Sequence, residues 1–202
     1  LTGLQPTWGR VSRHGIFALS DSMDHVGPMS RTGADAAAVM AAIAGHDDDD
    51  PTSLIDAVPD YLAAIGQGIE GLRLGVDEAF ISEDADPQIV AVVMAAVAAL
   101  AARGARVVPI EMPSPDKMLE GWIPLCSAEV ALAHRAAWPS RAADYGPELA
   151  SMIESGLRVS GAVIAETHIE IDRYAGRLKA LFRDVDLVAM PVLFAPLPRA
   201  DA

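Results

Sequence analysis

Two short apolar strands separated by a helix place the tightest limit on what this chain can fold into. Leu72-Arg-Leu-Gly-Val76 alternates in strand fashion, a helix is expected from about Pro87 to Arg103, and Ala105-Arg-Val-Val-Pro-Ile110 forms a second strand reached through Gly104. Parallel strands need a crossover of about a dozen residues or more, and the intervening helix supplies one. The two strands are therefore expected side by side in one sheet, and the chain belongs to the α/β class. Further helices are expected at about Asp116 to Ala137, Pro147 to Glu154 and Ser160 to Arg183. Asp186-Leu-Val-Ala-Met190 closes the series as a buried strand before Pro191.

The amino-terminal part reads differently. From Leu1 to Asp24, Gly, Ser, Thr and Arg punctuate loops and short strands. After Pro28 an Ala-driven helix is expected from Arg31 to Gly45, capped near Thr32 and stopped at Gly45. The four aspartates Asp47 to Asp50 precede Pro51, so like-charge repulsion and the pre-proline restriction both predict an exposed, solvated turn.

Composition narrows the function classes. The 202 residues are 51% hydrophobic and 21% charged, which suits a globular core and excludes a disordered chain. The net charge of -13 repels phosphate, and no Lys/Arg cluster offsets it, so direct nucleic-acid binding and anionic membranes are not expected. The run from Ile89 to Ala102 is uncharged but shorter than the roughly 20 residues of a spanning helix. The lone Cys126 excludes an intramolecular disulfide and suits a reducing, cytoplasmic setting. Neither a metal nor a cofactor is expected. His14, His25, His46, His134 and His168 are scattered, and the aspartate run lacks the alternation, central Gly and distant Glu of a calcium loop. The last long helix carries Glu166, Glu170, Asp172, Arg173, Arg177 and Lys179 at three- and four-residue offsets, a pattern consistent with i,i+4 pairs on an exposed face.

Two strings carry a family resemblance: Gly3-Leu-Gln-Pro-Thr-Trp-Gly-Arg-Val-Ser-Arg13 and Ser22-Met-Asp-His-Val-Gly-Pro-Met-Ser-Arg-Thr32. With Asp35-Ala-Ala37, Ala44-Gly-His-Asp47 and Asp50-Pro-Thr-Ser53, they resemble the amidase signature family in order and content. Gly71 to Val76, Gly104 to Val108 and Asp184 to Pro191 are similar to that family's later strands. The resemblance implies a mixed central β-sheet flanked by helices and hydrolysis of a carboxamide C–N bond in a small-molecule amide, without a cofactor. In that family a serine attacks, while a lysine acts as base through a second serine held in a cis peptide. An activated hydroxyl needs such a base, and the lysine must be neutral, which burial achieves.

The family's lysine and serines lie upstream of the Gly-Leu-x-Pro-Thr string, which here starts at residue 3, and neither Lys117 nor Lys179 sits beside a Gly/Ser-rich loop. No catalytic residue is therefore carried over. Residues 1–202 are expected to be part of a single amidase domain, truncated at both ends, inactive alone, with Arg199 to Ala202 as an early stop. The resemblance also leaves room for a homodimer. Two other readings stand beside it: the A component of a tRNA-dependent amidotransferase, and a truncated paralogue serving as a non-catalytic interaction protein.

The resemblance singles out two groups of residues. Arg10, Arg13 and Asp24 either support the serine loop or form a structural salt bridge and turn. For Asp24, accepting backbone N–H bonds is favoured over proton transfer. Trp122, Cys126 and Ser127 fall where the family builds the wall of its substrate pocket, although a lone cysteine is usually a small buried hydrophobe.

Overall fold

The computed structural model describes residues 1–196, so the expected stop at Arg199 to Ala202 lies outside the described residues. The chain divides into two compact units, one of residues 1–67 and 119–167 and the other of residues 68–118 and 168 onward. Among the described residues no helix is long and apolar enough to cross a membrane.

The second unit holds the expected crossover. β3 (Arg73–Val76) pairs in parallel with β4 (Arg106–Pro109) and with β5 (Leu187–Ala189), giving the order β4-β3-β5. The helix α3 (Pro87–Ala101) links β3 to β4. Asp86 caps it by accepting from the Gln88 N–H, and Pro87 opens it where no N–H is needed. Leu74, Val76, Ile81 and Val97 form the core beneath the sheet, with Leu72, Val93 and Met94 packed against them. Ile81 lies on a five-residue helix, α2 (Glu78–Ser82), too short for periodicity to reveal. Asp77 caps it and also accepts from the Met112 N–H. The expectation of a buried last strand needs correction: among the described residues β5 lies at the sheet edge, and Leu187 is half exposed. Among the described residues the central β3 alone has a neighbouring strand on both sides, and it is the buried one.

In the first unit β1 (Thr2–Gly3) and β2 (Met29–Ser30) form a two-residue antiparallel pair, extended by the Leu4 N–H donating to Pro28 O at 3.0 Å. α1 (Gly33–Ile43) starts where expected, with Thr32 Oγ1 accepting from the Asp35 N–H, and buries Ala36, Ala37 and Met40. α4 (Asp116–His134) begins in the second unit and runs into the first, where α5 (Pro147–Gly156) packs against it through Val130, Ala131 and Ile153. The approach is close enough that a methyl group on Gly156 would collide with the Ser127 carbonyl. α6 (Gly161–Leu181) also runs from one unit into the other.

The α/β class and the order of the main elements agree with the sequence. The charge pattern on α6 agrees in part: Glu170 pairs with Arg173 three residues on, at 2.5 Å, but Glu170 is buried and not on an exposed face. Arg177 reaches instead toward the Ser114 carbonyl at 3.4 Å.

Candidate functional site

The loops of the first unit are organised by carboxylates that accept from backbone donors. Asp50, in the aspartate run expected to be solvated, is buried. It accepts from the Arg13 N–H at 2.8 Å, the Thr52 N–H at 2.9 Å and the Thr52 hydroxyl at 2.5 Å. Those bonds, the Arg13 N–H first, hold its carboxyl down to about 2. Asp47 accepts from the Ser12 hydroxyl at 2.6 Å, which likewise lowers its pKa. Only the middle of the run, Asp48 and Asp49, faces water. The two outer members of the run therefore serve as acceptors for donors of the neighbouring loops.

Arg13 is the hub of this region. Its side chain is only 9% exposed, and its guanidinium lies 4.5 Å over the Trp8 ring. Nη1 donates to Asp21, through both the backbone carbonyl and the carboxylate, and Nη2 donates to Thr52 Oγ1 at 2.9 Å. Nε is buried without a partner among the described residues, as is Trp8 Nε1. Arg10 has a different partner, its Nη1 donating to the Asp56 carbonyl at 3.0 Å.

Asp24 accepts from the Leu19 N–H at 2.8 Å and from the Ser20 N–H at 3.1 Å. The Ser20 carbonyl in turn accepts from the Met23 and Asp24 N–H groups, which closes the turn. Asp24 thus accepts backbone N–H bonds, and the donors are the residues that precede it. Asp24 and His25 also border a hollow of about 460 Å³ against Gly3, Leu4 and Gln5.

The α4 group is divided. Cys126 is buried and lies near Ser20, whereas the Ser127 backbone is occupied by the Gly156 contact and Trp122 is 40% exposed. Burial pushes the Cys126 thiol up, the Ser20 hydroxyl opposes this, and the Glu129 and Asp24 carboxylates add to it. The thiol is therefore kept protonated and is a poor nucleophile.

The residue missed by sequence reasoning is Glu129. Its Oε2 accepts from the Ser20 hydroxyl at 2.7 Å and from the Ser22 N–H at 3.0 Å, across more than a hundred residues of chain. Its only sequence signal is its position three residues after Cys126, on the same face of α4. Through Ser20, which is 3% exposed, the structure joins Asp24 from one predicted group to Cys126 from the other. Among the described residues no cluster of three or more His, Cys, Asp or Glu could hold a metal ion.

Comparison with known proteins places this geometry. The amidase family model matches residues 1–202. A putative amidase, AmiD, from Mycobacterium tuberculosis is 36% identical over 194 residues, covering 95% of this chain and 40% of the relative. The A component of the glutamyl-tRNA(Gln) amidotransferase of Halorhodospira halophila is 32% identical over 225 residues, covering 100% of this chain and 46% of that one. A solved structure superposes with a TM-score of 0.88 at 27% identity, covering 99% of this chain and 43% of its own; it is described as a vestigial protein complex that reveals the origins of an s-triazine catabolic enzyme. The chain thus spans less than half the length of these proteins, and over that span it belongs to the amidase family.

Proposed function

We propose that the complete polypeptide carrying these residues is an amidase that hydrolyses the C–N bond of a small or hydrophobic carboxamide. The observation that carries this reading is the family match along the whole of residues 1–202. A serine hydroxyl attacks the amide carbon, a second serine in a cis peptide passes the proton to a neutral lysine, and the C–N bond breaks as the leaving amine takes a proton. Water then releases the acid from the acyl-enzyme. These three groups lie outside residues 1–202, within a single amidase domain that includes both compact units.

Arg10, Arg13 and Asp24 are assigned to support the serine loop. The buried Arg13 Nε–H and Trp8 Nε1–H favour this role, because two enclosed donors suit an acceptor carbonyl from a neighbouring loop. Trp122, Cys126 and Ser127 are assigned to the acyl side of the pocket. The proposed setting is a reducing cytoplasm, with a small amide as substrate, no cofactor, and a homodimer as the assembly to look for. The test is release of ammonia or amine from a panel of aliphatic and aryl amides by the complete native protein. Turnover of at least one amide is expected; folded protein that turns over none overturns the reading.

The similarity to the A component of the tRNA-dependent amidotransferases supports a second reading, in which the amide is hydrolysed only within a multi-chain enzyme. Turnover by the protein alone supports the free amidase, and turnover only with added partner chains supports the second reading.

A further inference from the structure

Asp24 and Glu129 grip the same turn from two directions. Asp24 belongs to the turn and accepts from the Leu19 and Ser20 N–H groups. Glu129 stands on α4 and accepts, through a single oxygen, from the Ser20 hydroxyl and the Ser22 N–H. A buried hydroxyl and a backbone amide thus converge on one carboxylate oxygen, an arrangement that fixes both the distance of the turn from α4 and its rotation. On the same face of α4 as Glu129, Cys126 lies beside Ser20.

We propose that Glu129 is a positioning residue, which sets the place of the Ser20–Asp24 turn against α4 and through it the groups that support the nucleophile. The proposal rests on the amidase reading for its effect on rate, but the clamp itself is a statement about geometry. A misplacement of about 1 Å in a supporting loop is enough to cost about a hundredfold in rate while leaving substrate binding nearly intact.

The experiment compares Glu129→Ala, Glu129→Gln and Ser20→Ala in the complete protein, with kcat and KM measured separately. Glu129→Ala is expected to lower kcat by about 10- to 100-fold with little change in KM. Glu129→Gln retains a carbonyl oxygen that accepts both bonds and is expected to restore kcat close to the native value. Ser20→Ala removes one of the two bonds and is expected to fall between them, which keeps the test open if Glu129→Ala does not fold. A kcat unchanged in Glu129→Ala, or a Gln variant no better than Ala, overturns the proposal. A second readout is independent of turnover: hydrogen exchange at the Ser22 amide is expected to speed up in the Ala variant and not in the Gln variant. Native protein that hydrolyses no amide, yet shows this exchange pattern, overturns the amidase reading and leaves the clamp standing. Unchanged Ser22 exchange overturns the clamp.

Discussion

The two compact units both bury apolar side chains, but they fix the rest of their chain by different means. The second unit rests on a parallel sheet whose central strand is sealed by apolar side chains, with Leu74 at 2% exposure and Val76 at 5%. The first unit packs its helices through Met40, Val130 and Ile153 and has a two-residue strand pair, and its long loops are fixed by carboxylates that accept from backbone N–H groups: Asp24 at Leu19 and Ser20, Asp50 at Arg13 and Thr52, and Glu129 at Ser22. A gap of about 0.5–1 Å costs an apolar contact a quarter to a half of its attraction whatever the direction, whereas a hydrogen bond also weakens steeply when its angle changes and so fixes orientation. A unit built the second way holds loops in defined places without covering them, which is what a support for catalytic groups requires.

Glycine substitutions test that difference most severely. At Gly156 an added methyl meets backbone, the carbonyl of Ser127 and the N–H of Ala128, and neither can rotate away. Gly156→Ala is expected to cost about 3 kcal/mol by forcing α4 and α5 apart, seen as a fall of roughly 6–12 °C in Tm. At Gly75, in the second unit, the methyl meets side-chain tips, Ile110 Cδ1 at 2.9 Å and Val185 Cγ1 at 3.1 Å. The Ile110 tip can rotate while the buried, β-branched Val185 yields less, so Gly75→Ala is expected to cost about 1.5 kcal/mol, or roughly 3–6 °C. Equal falls at the two positions would remove the contrast between rigid and yielding contacts.

Much of the second unit was legible because its signals are local. The alternation at Leu72 to Val76, the proline that opens α3 at residue 87 and the glycine before β4 are all read within a dozen or so residues. α2 escaped because five residues carry no period, and the exposure of β5 escaped because sequence does not say which strand is central. In the first unit the helix starts were legible from Thr32 and Pro147, but the site was legible only in part. The sequence strings singled out Arg13 and Asp24. Nothing local marks Glu129, because its partners lie 107 and 109 residues away, and nothing local separates the buried Asp50 from its exposed neighbours. A run of like charges reads as solvated unless the donors that meet it are known.

Replacing single charged side chains gives the next smaller effect. Asp50→Ala strands the Arg13 N–H and the Thr52 donors and is expected to open the loop from Asp47 to Ser53, with faster hydrogen exchange at Arg13 and Thr52. Arg73→Met, in the second unit, breaks a 2.7 Å pair with Asp186 in which both side chains are partly exposed. Little change in exchange of the β3 amides is expected, because the apolar core and not the ion pair holds that strand. Widespread β3 exchange in Arg73→Met would show that the second unit depends on its charges as much as the first.

The smallest effect separates the units by acid. Asp50 and Asp186 are both held down to about 2 in the folded chain, against 3.8 for an unperturbed carboxyl. Between those values the unfolded chain binds more protons, so their contribution is whole above about pH 4 and is lost as pH falls toward 2. The causes differ: Asp50 is lowered chiefly by the Arg13 N–H and the Thr52 hydroxyl, Asp186 chiefly by the Arg73 guanidinium. Salt screens a partly exposed ion pair and leaves short dipolar hydrogen bonds largely untouched. Raising the ionic strength is therefore expected to weaken the pH dependence of unfolding in an Asp50→Asn variant, which keeps only the Asp186 contribution of the two. In an Asp186→Asn variant, which keeps the Asp50 contribution, the dependence is expected to persist. The same salt response in both variants would mean that Asp50 draws its low pKa from charge, and that the first unit's loops are not held mainly by hydrogen bonds to their backbone.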